Sequence, residues 1–200
     1  NNKATGDGYA GWVRGGAALC EWATCTFSST TIEANTAFVD GDHHADGGGL
    51  SQHYGTLFVE NGTRIIANTA KGGGGGMYLD RVTAYISGTF ISQNHIASQH
   101  LENGGAGIFL RWGANVFFRG SSFIDNYATN NRGHQIMTYD GSTGTPSITL
   151  VNTNFTHVSS SNNFYGYQEN IGGSPDKFIP PQTCASNPCT VFPFTGRCIN

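Results

Sequence analysis

The densest group of ionisable side chains in this sequence is Asp40, Asp42 and Asp46 around His43 and His44, in a stretch bounded by glycine. Two carboxylates held close on one face can cleave a glycosidic bond by acid and base catalysis. Two histidines with three aspartates can also ligate a cation. The spacing serves neither purpose well. Extended backbone sends the adjacent His43 and His44 to opposite sides, and the aspartates do not follow a calcium loop. The group reads as a turn with solvated charge. The run Gly72 to Gly76 lacks the Lys-Ser or Lys-Thr that completes a phosphate loop and reads as a tight corner. No catalytic residue, metal or cofactor is expected.

A second constellation emerges when the chain is aligned on itself. With Leu50, Met77, Ile108 and Ile136 in one column, another column holds His53, Asp80, Arg111 and Tyr139. The next holds Tyr54, Arg81, Trp112 and Asp140. Two readings of these columns stay open, and both put them on the surface. Exposed aromatics beside Asp and Arg can stack on sugar rings or grip a partner protein. Alternatively Asp80 and Arg111 belong to an ion-pair ladder between coils, each exposed pair worth ~0 to 1 kcal/mol.

The alignment rests on two elements that recur in step. One is an apolar residue, two variable residues, Asn, and a small residue nearby. It runs from Ile32 to Asn35, Ile65 to Asn68, Ile91 to Asn94 and Phe123 to Asn126, with a degenerate copy from Phe155 to Val158. Thr30, Thr63, Thr89, Ser121 and Thr153 stand two residues before each leading apolar residue. The other element is a Gly pair followed by an apolar residue: Gly15-Gly16 to Leu19, Gly47-Gly48 to Leu50, Gly74-Gly75 to Met77, Gly104-Gly105 to Ile108. Between them lies a third apolar segment, as in Leu57-Phe58-Val59 and Val116-Phe117-Phe118.

Each repeat therefore holds three short strand candidates, and no stretch keeps the three-and-four spacing of an amphipathic helix. Stacked about five times, such units form an all-β, right-handed parallel β-helix with three strands per coil. Residues 15–174 make up this repeat domain, after an N-terminal extension over residues 1–14. Stacking gives the asparagines a role. Asn35, Asn68, Asn94 and Asn126 either form a ladder of amides from coil to coil or simply tolerate left-handed turns.

These motifs resemble the polymorphic outer membrane protein repeat, marked by a Gly-Gly-Ala-aliphatic and a Phe-x-x-Asn element in each coil of a β-helix. Gly104-Gly105-Ala106-Gly107-Ile108 followed by Phe123-Ile124-Asp125-Asn126 is the best copy. The likeness covers roughly residues 15 to 158; several copies put Ile in place of the leading Phe. It implies a surface-exposed passenger domain used in adhesion or as a stalk, and carries no catalytic motif.

Residues 175–200 change character, with Pro180, Pro181, Cys184, Cys189 and Cys198 and no repeat. Their spacing resembles the opening half of an epidermal growth factor-like module, which reads as the start of a further module. With Cys20 and Cys25 the count is five. An odd number points to pairing beyond this chain, or to one bridge between Cys20 and Cys25, one in the tail and a free thiol. Asn61-Gly62-Thr63 and Asn154-Phe155-Thr156 are glycosylation sequons.

Only 12% of residues are charged and the net charge is −3, with 10 Lys plus Arg. That excludes a basic stripe for nucleic acid, and no apolar run reaches the ~18 residues of a membrane span. The expected protein is a non-enzymatic, extracellular structural or adhesive β-helix segment of a larger surface protein or filament. Its partners are copies of itself, neighbouring domains or glycans. The rival reading is a carbohydrate-active or carbohydrate-binding β-helix.

Overall fold

The computed structural model describes residues 2–6, 12–40, 44–100, 103–140, 144–156, 164–168, 189–191 and 198–199. Among the described residues there is no helix, and parallel strands stack as a β-solenoid of about four turns. The first two faces of a coil run as one strand over Ala18–Ser28 and over Leu50–Glu60. Later coils split them, as in Met77–Asp80 with Thr83–Ser87 and Ile108–Arg111 with Asn115–Arg119. The third face stacks Thr31–Glu33, Arg64–Ile66, Phe90–Ser92, Ser122–Ile124 and Asn154–Thr156.

A short fourth strand, not anticipated, follows each Asn: Thr36–Val39, Thr69–Ala70, His95–Ile96 and Tyr127–Ala128. Its cause is local. The residue before each Asn (Ala34, Ala67, Gln93, Asp125) has φ between 52° and 55°. One left-handed residue turns the chain sharply and lets the next residues pair again with the coil above. The small residue after Asn then points inward, where Ala37, Ala70 and Ala128 are buried.

Packing follows the repeat. Ile32, Ile65, Ile91, Phe123 and Phe155 lie in register on the third face. The first four are buried, and the Phe123 and Phe155 rings stack 4.8 Å apart. The asparagines form the amide ladder. Asn35 Nδ2 donates to Asn68 Oδ1, Asn68 Nδ2 to Asn94 Oδ1 and Asn94 Nδ2 to Asn126 Oδ1, at 2.9–3.0 Å. Each Oδ1 also accepts the backbone N–H of the preceding rung, a series that begins at Asn2. Where the repeat degenerates, Gln135 Oε1 accepts from Asn126 Nδ2 and closes the ladder. The Thr and Ser positions make a second series, Thr63 bonding Phe27 O, Thr89 bonding Val59 O and Ser121 bonding Ile86 O.

Two expectations need correction. In the first coil Ala18, not Leu19, pairs with Leu50, so Leu19 points outward and is 47% exposed. The common turn residue is the left-handed glycine three positions before the inward-facing apolar one: Gly15, Gly47, Gly74, Gly105 and Gly133. The second correction concerns residues 1–14. Lys3–Gly6 pairs with Thr36–Val39, and Trp12–Arg14 pairs with His44–Asp46, so much of this segment belongs to the solenoid instead of extending from it.

Candidate functional site

In a plain solenoid, side chains on the outer side of a coil face meet solvent. Here the outer side of the first face is covered. The two-strand flap Trp12–Arg14 and His44–Asp46 comes from extra length between the fourth strand and Gly47. Below it stand Ser51, Tyr78, Phe109 and Met137 in one column and His53, Asp80, Arg111 and Tyr139 in the next. The second column is therefore aligned as expected. It is not a surface column: His53, Asp80 and Tyr139 are at most 4% exposed. Desolvation by neighbours outside the repeat overrides the alternation of inner and outer positions.

The Gly72 to Gly76 run is divided between several tasks. A Cβ on Gly72 would strike the Asp46 carboxylate, and one on Gly73 would lie 2.5 Å from the Phe109 ring. These two glycines leave room for the site. Gly74 has φ +68° at the corner, and a Cβ on Gly75 would meet the Ala106 carbonyl oxygen at 2.7 Å.

Asp46, read from sequence as part of a solvated turn, is 2% exposed. Its Oδ1 accepts the Gly73 N–H at 2.6 Å, while Oδ2 has no hydrogen-bond partner among the described residues. Burial pushes its carboxyl above the ordinary value of 3.8, against the lowering effects of the Gly73 N–H, His44, Arg111 and Arg14. Arg111 Nη1 donates to Tyr78 Oη at 3.1 Å, and its Nε is also unpartnered. Burial works against the Arg111 charge, but Tyr78, Asp46 and Asp80 together raise its pKa. Burial and the Asp46 charge raise the Tyr78 hydroxyl out of the physiological range. The proposed Asp80 to Arg111 ladder does not form as a hydrogen-bonded pair. Asp80 Oδ2 faces His53 Nδ1 at 3.2 Å, and its Oδ1 lies 3.6 Å from Arg81 Nη1.

His53 Nε2 in turn lies 3.3 Å from Ser51 Oγ. Ser51, His53 and Asp80 thus share the contact order of a nucleophilic triad. Ser51 has no exposed surface, so no substrate carbonyl reaches Oγ in this arrangement. The three side chains contact one another in sequence and leave Asp80 Oδ1 to the Arg81 guanidinium. Sequence reasoning missed Ser51, although its place two residues before His53 puts both on one side of a strand. Trp12 and Asp46 carried less signal, because their strands pair once and never repeat.

The next column forms a ridge at the corner between the first two faces. Trp22, Tyr54, Arg81 and Trp112 all have φ between 47° and 56°, an uncommon region for bulky side chains. Trp22 and Tyr54 stack with centroids 3.8 Å apart. The Arg81 guanidinium lies 5.1 Å from Tyr54 and 4.3 Å from Trp112, and that of Arg111 lies 3.7 Å from Trp112. Trp22 was not foreseen, and it is 74% exposed. Asp140 ends the strand Ile136–Asp140, and its side chain lies outside the described residues.

Cys20 and Cys25 form a disulfide across the Trp22 corner, with Cα atoms 6.7 Å apart. Cys184 and the side chains of Cys189 and Cys198 lie outside the described residues, and with them the epidermal growth factor-like expectation. Both sequon asparagines, Asn61 and Asn154, are exposed. Among the described residues no group of three His, Cys, Asp or Glu is placed to hold a metal, and no helix is long and apolar enough to cross a membrane. The chain matches no known family model, no curated protein and no solved structure.

Proposed function

We propose that this solenoid is a structural segment of an extracellular assembly and that it extends along its axis by adding coils at its N-terminal end. The observation that carries the reading is the open edge there. Among the described residues Ala18–Ser28 pairs only with Leu50–Glu60, and Thr31–Glu33 only with Arg64–Ile66. Beside these edges a hollow of about 580 Å³ opens between Asn2, Ala17, Ile32 and Asn35. Unpaired strand edges over partly exposed core invite another strand, either from a second copy or from a neighbouring domain. The Cys20–Cys25 disulfide fits an oxidising compartment. Sedimentation of the native chain tests the reading, with concentration-dependent association expected. Ala17→Lys, which puts a charge at the mouth of the hollow, should abolish it. A native chain that stays monomeric at every concentration defeats the proposal.

A second reading, a carbohydrate-binding or carbohydrate-active solenoid, is favoured by the ridge. Exposed Trp22 stacked on Tyr54 offers a flat aromatic surface of the kind that packs on sugar rings.

A further inference from the structure

Four charged side chains around the flap leave a buried polar atom without a hydrogen-bond partner among the described residues: Arg14 Nε, Asp46 Oδ2, Asp80 Oδ1 and Arg111 Nε. Each such atom costs about 1–3 kcal/mol, so four in one neighbourhood call for a cause. Elsewhere the Asn ladder satisfies its own polar atoms, and the other unpartnered buried atoms, Gln52 Oε1 and Thr138 Oγ1, belong to neutral side chains. The unpartnered charged groups are gathered around the flap.

Two of the four residues, Asp46 and Arg111, line one recess of about 20 Å³, together with Trp12, His44, Tyr78, Asn103, Phe109 and Tyr139. That volume holds one water-sized group. The recess is lined by one carboxylate, Asp46, and one guanidinium, Arg111, whose buried Oδ2 and Nε–H have no hydrogen-bond partner among the described residues. An ammonium group has only donors and would meet Arg111 with nothing to accept its hydrogen. A carboxylate or phosphate has only acceptors and would be repelled by Asp46. A primary amide has both functions but three heavy atoms. A hydroxyl donates once, accepts, and fits. The aromatic walls suit the apolar face of the body that carries it, and Trp12, 44% exposed, stands where that body would lie.

We propose that the recess between the flap and the first face is a subsite for a hydroxyl of a neutral carbohydrate. The hydroxyl donates to Asp46 Oδ2 and accepts from Arg111 Nε–H while its ring lies against Trp12. This deepens the carbohydrate-binding reading and does not depend on axial assembly.

The test is calorimetric titration of the native chain with neutral oligosaccharides, repeated on three variants. Asp46→Asn keeps an oxygen for the Gly73 N–H and replaces the free acceptor. Arg111→Lys keeps the cation and removes Nε. Trp22→Ala alters the ridge and leaves the recess intact. A loss of about tenfold or more in affinity for the first two, with a smaller change for Trp22→Ala, is the expected result, each variant retaining its strand-type circular dichroism. If Asp46→Asn unfolds, Arg111→Lys reads the same contact. Native affinity unchanged in Asp46→Asn and Arg111→Lys but lost in Trp22→Ala overturns the subsite and leaves the ridge reading standing. No binding of any oligosaccharide by the native chain overturns both. Stronger binding of a peptide amide than of any sugar also overturns the assignment.

Discussion

The Asn ladder and the flap-covered face are both buried and polar, yet they resolve their hydrogen bonding in opposite ways. Inside the coil each Asn repeats the environment of the last, so one arrangement that works once works at every rung, from Asn35 to Asn126. Under the flap, Trp12–Arg14 and His44–Asp46 meet the first face only once, and atoms such as Asp46 Oδ2 and Arg111 Nε are left over. Translation satisfies polar groups cheaply, whereas a single non-repeating contact must satisfy them one by one. Unpaired charge collects at the place where the repeat is broken, and that is where ligand chemistry is available.

The sharpest way to break this contrast is at a central rung. Asn94→Ala deprives the Asn68 N–H and Nδ2 of their acceptor and removes the Nδ2 donor to Ile65 O and Asn126 Oδ1, the latter keeping the backbone N–H of residue 94. Several buried groups lose partners together, so a loss of about 3–5 kcal/mol is expected in urea unfolding; a loss below ~1 kcal/mol would mean that the ladder is incidental. Ile91→Ala removes apolar volume from the same interior and should cost ~2–4 kcal/mol. The flap should be the softer region. Among the described residues its strands pair only with each other, so amides of His44–Asp46 should exchange hydrogen before those of Phe90–Ser92, which are paired on both sides. Equal protection would erase the distinction.

Asp46 gives a test with a sign. Its carboxyl is raised above 3.8 by burial, so the folded state binds its proton more tightly than the unfolded chain does. The stability cost of the charged form is absent below 3.8 and grows as pH rises through the raised value. Asp46→Asn should therefore compare best with the native chain at neutral pH, and the comparison should turn against it on acidification; a pH-independent difference would contradict the burial argument. The smallest effect is expected on the open second face, where Phe58, Tyr85 and Phe117 stack 5.2–5.3 Å apart at the surface. Tyr85→Ala there should cost about 0.5–1 kcal/mol.

Most of the solenoid could be read from the sequence because its signals recur. Five leading apolar residues, four asparagines and the Thr or Ser before them fixed the third face and its ladder. The column from His53 to Tyr139 could be read for the same reason. Its burial could not, since that depends on Trp12 and Asp46, whose partners in register, His44 and Arg14, are of different type and do not spell a repeat. The single-residue slip at Leu19 has a similar origin: the first coil has an outer apolar residue beside a small inner one, Ala18, and the larger side chain drew the alignment. The fourth strand was hidden because it is only two residues long in three coils and is set by a left-handed residue whose type varies from Ala to Gln to Asp.

The left-handed glycines at Gly74 and Gly105 mark equivalent points on adjacent coils, and among the described residues the parallel strands of each coil pair with those of the coils beside it. Excising residues 75–105 would therefore bring Gly74 directly before Ala106 and keep every ladder in phase, with Asn68 facing Asn126. The gene can lengthen or shorten this protein in whole coils without redesigning a core. Height is then a quantity that unequal recombination can tune, whereas the flap and its recess, built once, cannot be copied by the same route.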